Sequence, residues 1–140
     1  MDKEIQEKDA WEKNTPPEIL AQLAKNESVW ARRGVAWNPS TPPEVLAQLA
    51  EDKDRGVRAE VAWNKNAPSE ILTKLAEDVD SNVRIGVAYN ANTSPEILAK
   101  LAKDKNTLVR IGVSRNPNTP PETLELPGII EIIIEDVMEE

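Results

Sequence analysis

The chain contains no cysteine and no histidine in 140 residues. Without cysteine there is no disulfide and no thiolate chemistry. Without histidine, zinc and iron sites, imidazole acid–base catalysis and the usual triads lose their main residue types. Long apolar runs are missing as well. None approaches the roughly 18 residues of a membrane-spanning helix. The opening Met1-Asp2-Lys3-Glu4 is charged and leads into no apolar stretch, so no signal peptide is expected and a cytoplasmic location is the default. The length suits one domain that buries a core without covalent staples.

Basic excess is absent too. The formal net charge is −8, and it is unevenly placed. Residues 125–140 carry six carboxylates (Glu125, Glu131, Glu135, Asp136, Glu139 and Glu140) and no base. The rest of the chain is close to neutral, with 19 acids against 17 bases. A near-neutral body with an acidic tail is a poor match for phosphate, because nucleic-acid affinity comes mainly from basic contacts. Neither a nucleic-acid nor a membrane partner is expected.

What the chain does have is a 26-residue period. Glu18, Glu44, Glu70, Glu96 and Glu122 obey it, as do Leu20, Leu46, Leu72, Leu98 and Leu124, and Val35, Val61, Val87 and Val113. A fixed period of this size marks a solenoid, whose units pack only on their neighbours. Within one unit, Thr41 is expected to cap a helix, Pro42 to take its first position and Glu44 to complete a capping box. Thr15/Glu18, Thr93/Glu96 and Thr119/Glu122 repeat the pattern, and Ala67 breaks it. Val45, Leu46, Leu49 and Ala50 form an apolar stripe at helical spacing. After the polar turn Asp52-Lys53-Asp54, a second short helix carries Val57 and Val61 and ends at Asn64, a residue that tolerates left-handed backbone. Neither helix buries its stripe alone, so stacking must supply the partner.

The expected division is an N-terminal capping segment at residues 1–14, four repeats and a half repeat at residues 15–126, and a C-terminal tail at residues 127–140. Residues 3–11 read as a worn second helix, with Ile5 and Trp11 in register and Asp9 where the core valine belongs. Worn terminal units are usual in solenoids, whose end faces meet water.

The motif Val-Arg-x-x-Val-Ala-x-Asn followed by Thr-Pro-Pro-Glu-x-Leu-x-x-Leu-Ala-x-Asp resembles the leucine-rich repeat variant (LRV) family over roughly residues 10–124. The resemblance implies an all-α fold, a right-handed superhelical solenoid of short helix pairs, some of them 3₁₀. Some members hold an iron–sulfur cluster on an N-terminal cysteine segment. With no cysteine, that cofactor does not carry over, and no cofactor or metal is expected. The family implies no defined enzymatic activity, so the chain is not expected to be an enzyme.

Several polar ladders follow the same period. Asp52, Asp78 and Asp104 each precede an arginine by six residues: Arg58, Arg84 and Arg110. This is similar to the Asp/Arg ladder of HEAT repeats, and its expected role is to join neighbouring units through charge-assisted hydrogen bonds. Asn38, Asn64, Asn90 and Asn116 read as helix ends whose side chains bond the following turn. Glu51/Asp52 and Glu77/Asp78 look like paired carboxylates, but they recur in polar turns without histidine or cysteine and read as solvated. Gly34, Gly86 and Gly112 interrupt second helices, where glycine costs about 1 kcal/mol relative to alanine. Their period points to close helix approach.

A last ladder is aromatic: Trp11, Trp37, Trp63 and Tyr89, ended by Arg115. On an α-helical wheel Trp63 lies about 240° from Val57, away from the valine stripe and beside position 59. The resulting strip reads Arg33/Trp37, Ala59/Trp63, Ile85/Tyr89 and Ile111/Arg115. In the family this position is commonly small, which makes the aromatics particular to this chain. The rings either stack and seal the seam between repeats, or form an exposed strip that binds a partner, since Trp, Tyr and Arg dominate interface hot spots. A 3₁₀ second helix would instead turn Trp63 onto the Val57 face.

The tail after Pro127-Gly128 has Glu131, Glu135 and Glu139 four apart, as in an amphipathic capping helix. The β-branched run Ile129–Ile134 also suits an extended segment that enters a neighbour's groove and makes a homodimer by exchange. The expected function is a non-enzymatic scaffold that binds a protein or peptide through Trp37, Trp63, Tyr89, Ile85, Ile111 and Arg115. The alternatives are a purely structural module of a larger complex, or a helical-repeat enzyme such as a glycosylase or lyase. The near-neutral body opposes a glycosylase, and no residue points to a lyase.

Overall fold

A computed structural model of the protein describes residues 4–139. Residues 1–3 of the N-terminal segment and Glu140 of the tail lie outside the described residues. Among the described residues the fold is all helical, with no strand. A 3₁₀ helix, Glu7–Trp11, precedes ten α-helices: α1 Pro17–Leu23, α2 Val29–Trp37, α3 Pro43–Leu49, α4 Arg55–Trp63, α5 Ser69–Leu75, α6 Ser81–Tyr89, α7 Pro95–Leu101, α8 Thr107–Arg115, α9 Pro121–Leu124 and α10 Pro127–Met138. The second helices are therefore α, and 3₁₀ geometry is confined to the N-terminal turn, in the segment read from the sequence as a worn second helix.

The first helix of each pair starts differently from the sequence-based expectation. The N-cap of α3 is Pro42, not Thr41, and Pro43 takes the first helical position. Pro16, Pro68 and Pro120 cap α1, α5 and α9 in the same way, without a side-chain bond. Among these first helices only α7 has a side-chain cap, Ser94 Oγ accepting from Ile97 N–H. The threonine hydroxyls face backwards. Thr41 Oγ1 donates to Val35 O at 2.6 Å, Thr93 to Val87 O at 2.6 Å and Thr119 to Val113 O at 2.7 Å. Each threonine ties its helix to the last turn of the second helix before it, so the capping box does not form. The prolines have already set the extended entry and removed N–H groups that a cap would serve.

Second helices are capped conventionally. Ser28, Asp54, Asp80 and Asn106, also 26 apart, each accept a backbone N–H of the first turn. At the other end the asparagines are not left-handed. Asn64 sits at φ −70° and ψ 124°, in extended geometry. Among the described residues no non-glycine has a positive φ.

Second helices stack directly on one another, α2 on α4, α4 on α6 and α6 on α8, while each first helix leans on its own pair. Between the two layers runs a continuous core. Leu20, Leu46, Leu72 and Leu98 of the first helices are fully buried, and so are Val35, Val61, Val87 and Val113 of the second. The tail is a helix rather than a strand. α10 packs on α8 and buries Ile129 and Ile132, while Arg110 Nε donates to Gly128 O at 3.3 Å.

Candidate interaction face

Two polar ladders hold the second helices in register. Arg32 Nε donates to Asp52 of the next repeat at 2.8 Å, Arg58 to Asp78 at 2.8 Å and Arg84 to Asp104 at 2.8 Å. A second nitrogen of each guanidinium reaches the other carboxylate oxygen, so the fork is bidentate. The remaining Nη1 donates back to the turn of its own repeat, for example Arg58 to Asp52 O at 2.8 Å. Burial alone would raise the Asp104 carboxyl. The bonds from Arg84 and Asn106 N–H and the Arg84 charge outweigh it, and the group lies below the ordinary aspartate value. The series ends at Arg110, which turns to Gly128 O and Asp104 O.

The asparagine ladder works in both directions. Asn64 Oδ1 accepts from Asn66 N–H in the following turn, while its Nδ2 donates to Ala36 O and Asn38 O of the preceding repeat. Asn38, Asn90 and Asn116 repeat the arrangement.

The aromatic ladder divides into two groups. Trp11 meets both Trp30 and Trp37, at ring centroid distances of 5.5 and 5.6 Å. Trp63 stacks on Tyr89 at 5.2 Å, with planes 23° apart. Among the described residues no ring contact joins Trp37 to Trp63. The cause lies at one position of the second helix. Trp63 lies over Gly86, where an added Cβ would stand 3.0 Å from its ring. Tyr89 lies equally close to Gly112, and Trp11 closer still to Gly34. The residue in register with these glycines on α4 is Glu60, whose Cβ leaves no room for a ring at the approach that Gly86 permits, and whose carboxylate pairs with Arg33.

A cleft of about 320 Å³ opens at this break, between Trp37 and Trp63, with Lys13, Pro39, Glu60, Asn64 and Lys65 on its walls. Trp37 is 40% exposed and Trp63 50% exposed. Glu60 pairs with Arg33 at 3.5 Å. On the other side of Trp63 a second hollow of about 430 Å³ includes Ala59 and Ile85, with Arg33, Arg55, Asp54 and Asp80 around it. Tyr89 is half-buried beneath Trp63. Ile111 is half-buried and Arg115 exposed on α8, and neither lines either cleft. The geometry thus gathers Trp37, Trp63, Tyr89 and Ile85 and leaves Ile111 and Arg115 apart. It also adds Lys13, Glu60 and Lys65, which sequence reasoning passed over. Glu60 was the legible one, as the only non-glycine in the series of Gly34, Gly86 and Gly112. Trp30 was missed because it lies outside the aromatic register.

A larger groove of about 610 Å³ lies at the N-terminal end, lined by the carboxylates Glu4, Asp9 and Glu12 and by Ile5 and Ile19 among others. Among the described residues no cluster of carboxylates is arranged to hold a metal ion, and no helix is long and apolar enough to cross a membrane.

A family model described as leucine rich repeat variant matches residues 29–54, one full 26-residue unit from α2 to the start of α4. No curated protein matches the chain, and no solved structure does.

Proposed function

We propose that this stack of leucine rich repeat variant repeats is a non-enzymatic scaffold that binds a protein or peptide on the face formed by the second helices, with Trp37 and Trp63 as anchors. The observation that carries the reading is the break at Glu60. Two large rings stay exposed there, across a cleft, whereas the core valines beside them are fully buried. Exposed tryptophans held on rigid helices present large apolar area at little entropic cost, which is the composition of interface hot spots. Ile85 and Tyr89 extend the apolar strip, and the ion pairs of Arg33 and Arg55 supply a polar rim.

One observation favours a purely structural module instead. Trp37 and Trp63 each make a ring contact, to Trp11 and to Tyr89, and these contacts stiffen the seams between repeats. The two readings separate in one experiment. Peptide ligands are selected from a displayed library on the intact protein, then tested on Trp37→Ala/Trp63→Ala. A scaffold loses those ligands at least about tenfold while keeping its helical signal and most of its melting temperature. Undiminished binding by the double variant would move the function away from this face, and a collapse of the fold would return the rings to structure.

A further inference from the structure

We infer that the occupant of the Trp37–Trp63 cleft is the C-terminal helix of a second copy of this chain, so that molecules associate head to tail. The inference rests on the reading of that face as a binding surface and names its partner.

The first observation is a surplus face on α10. Ile129 and Ile132 bury that helix against α8, yet Ile130, Ile134, Val137 and Met138 are 38, 51, 64 and 81% exposed. Steps of four, three and one residue place all four along one side of a helix. The helix is thus apolar on two sides, and only one of them is used within the chain. Glu131 and Glu135 are exposed along one edge of the free stripe.

Charge decides where such a helix docks. The N-terminal groove is the larger hollow, but the exposed carboxylates Glu4 and Glu12 line it and would repel an acidic helix. At the aromatic cleft the exposed rim groups are Lys13 and Lys65, and the one carboxylate there, Glu60, is paired with Arg33. An apolar stripe edged by the carboxylates of Glu131 and Glu135 meets two indole rings edged by the ammonium groups of Lys13 and Lys65. Opposite potentials of this kind select register and partner.

Dimensions agree. From Ile130 to Met138 the stripe runs about 12 Å at 1.5 Å per residue. Neighbouring packed helices such as α2 and α4 lie about 8–10 Å apart. Ile130 and Val137, about 10 Å apart on the stripe, can therefore cover both tryptophans at once. The chain's own α10 cannot, because it is seated on α8, with α6 between that helix and the cleft. Only another copy supplies the stripe, and the tail stays docked on its own repeats rather than exchanging. A contact between different surfaces does not close on itself, so short chains of molecules form, limited by the repulsion of −8 per copy.

The test uses charge swaps at exposed residues, which leave the core untouched. In sedimentation velocity over a range of concentrations the intact protein should associate reversibly. Lys13→Glu/Lys65→Glu and Glu131→Lys/Glu135→Lys should each weaken association on the order of tenfold. Mixing the two variants should restore it, because each then offers a surface that complements the other. Trp63→Ala should act like the lysine swap, and thermal melting checks that every variant is folded. A monomer at all concentrations overturns the inference, and so does association that ignores the lysine swap or a mixture that fails to recover. If library peptides still require Trp37 and Trp63 in a strictly monomeric protein, the scaffold reading stands and this partner falls.

Discussion

A buried asparagine does at each seam what no other residue type could. Asn64 uses both donors and its acceptor: Nδ2 reaches Ala36 O at 2.7 Å and Asn38 O at 3.1 Å, while Oδ1 takes Asn66 N–H at 2.8 Å. Aspartate would set a charge against two carbonyls, and a longer glutamine would overshoot a space with 4% exposure. Asn64→Ala strands the buried Ala36 carbonyl and a turn N–H, while Asn38 O keeps the Thr41 N–H, so urea unfolding should show a loss of about 1–3 kcal/mol. A loss below about 0.5 kcal/mol would mean that water replaces the side chain. The ladder itself was visible as a period. Its reach into the preceding repeat was not, because spacing along a chain does not say which way an amide points.

At the scale of the element, one position on the second helix sets the fate of the ring stacked on it. Glycine at 34, 86 and 112 admits the aromatic of the preceding repeat, and Glu60 excludes it. Glu60→Gly should let Trp37 settle on α4 as Trp63 settles on α6. Iodide quenching of the tryptophans should fall, and binding at the cleft should weaken. The helix would lose about 1 kcal/mol of propensity, offset in part by ring burial. Unchanged quenching would show that something other than Glu60 holds Trp37 out. The helix starts teach the same lesson. Thr41-Pro42-Pro43-Glu44 contains every residue of a capping box, yet the box loses to a bond between Thr41 and the helix behind it.

For the whole molecule, stability should be local, since each repeat touches only its neighbours. A chain ending at Leu126 lacks the two buried isoleucines of α10, worth about 2 kcal/mol each. The melting temperature should drop on the order of 10 °C. Hydrogen exchange should rise first in α8, which α10 covers, while α2 and α4 keep their protection. Uniform loss of protection would instead mark a single cooperative unit. The same variant lacks the stripe that the proposed self-association requires, so it should sediment as a monomer.

The sequence by itself determined the 26-residue unit, the paired helices and the buried leucine and valine rows. Each of those residues meets the same neighbour in every repeat, so the period alone states its surroundings. It also showed where the pattern breaks, at Ala67 and the isoleucine tail, and it held a further break at Glu60 that was legible but passed over. What those breaks do was decided only by tertiary structure. A cleft arises because two rings part across a seam, and a second apolar face matters because α8 takes only one. Both depend on which surfaces are already occupied, and occupancy is a property of packing in space that a one-dimensional pattern does not contain.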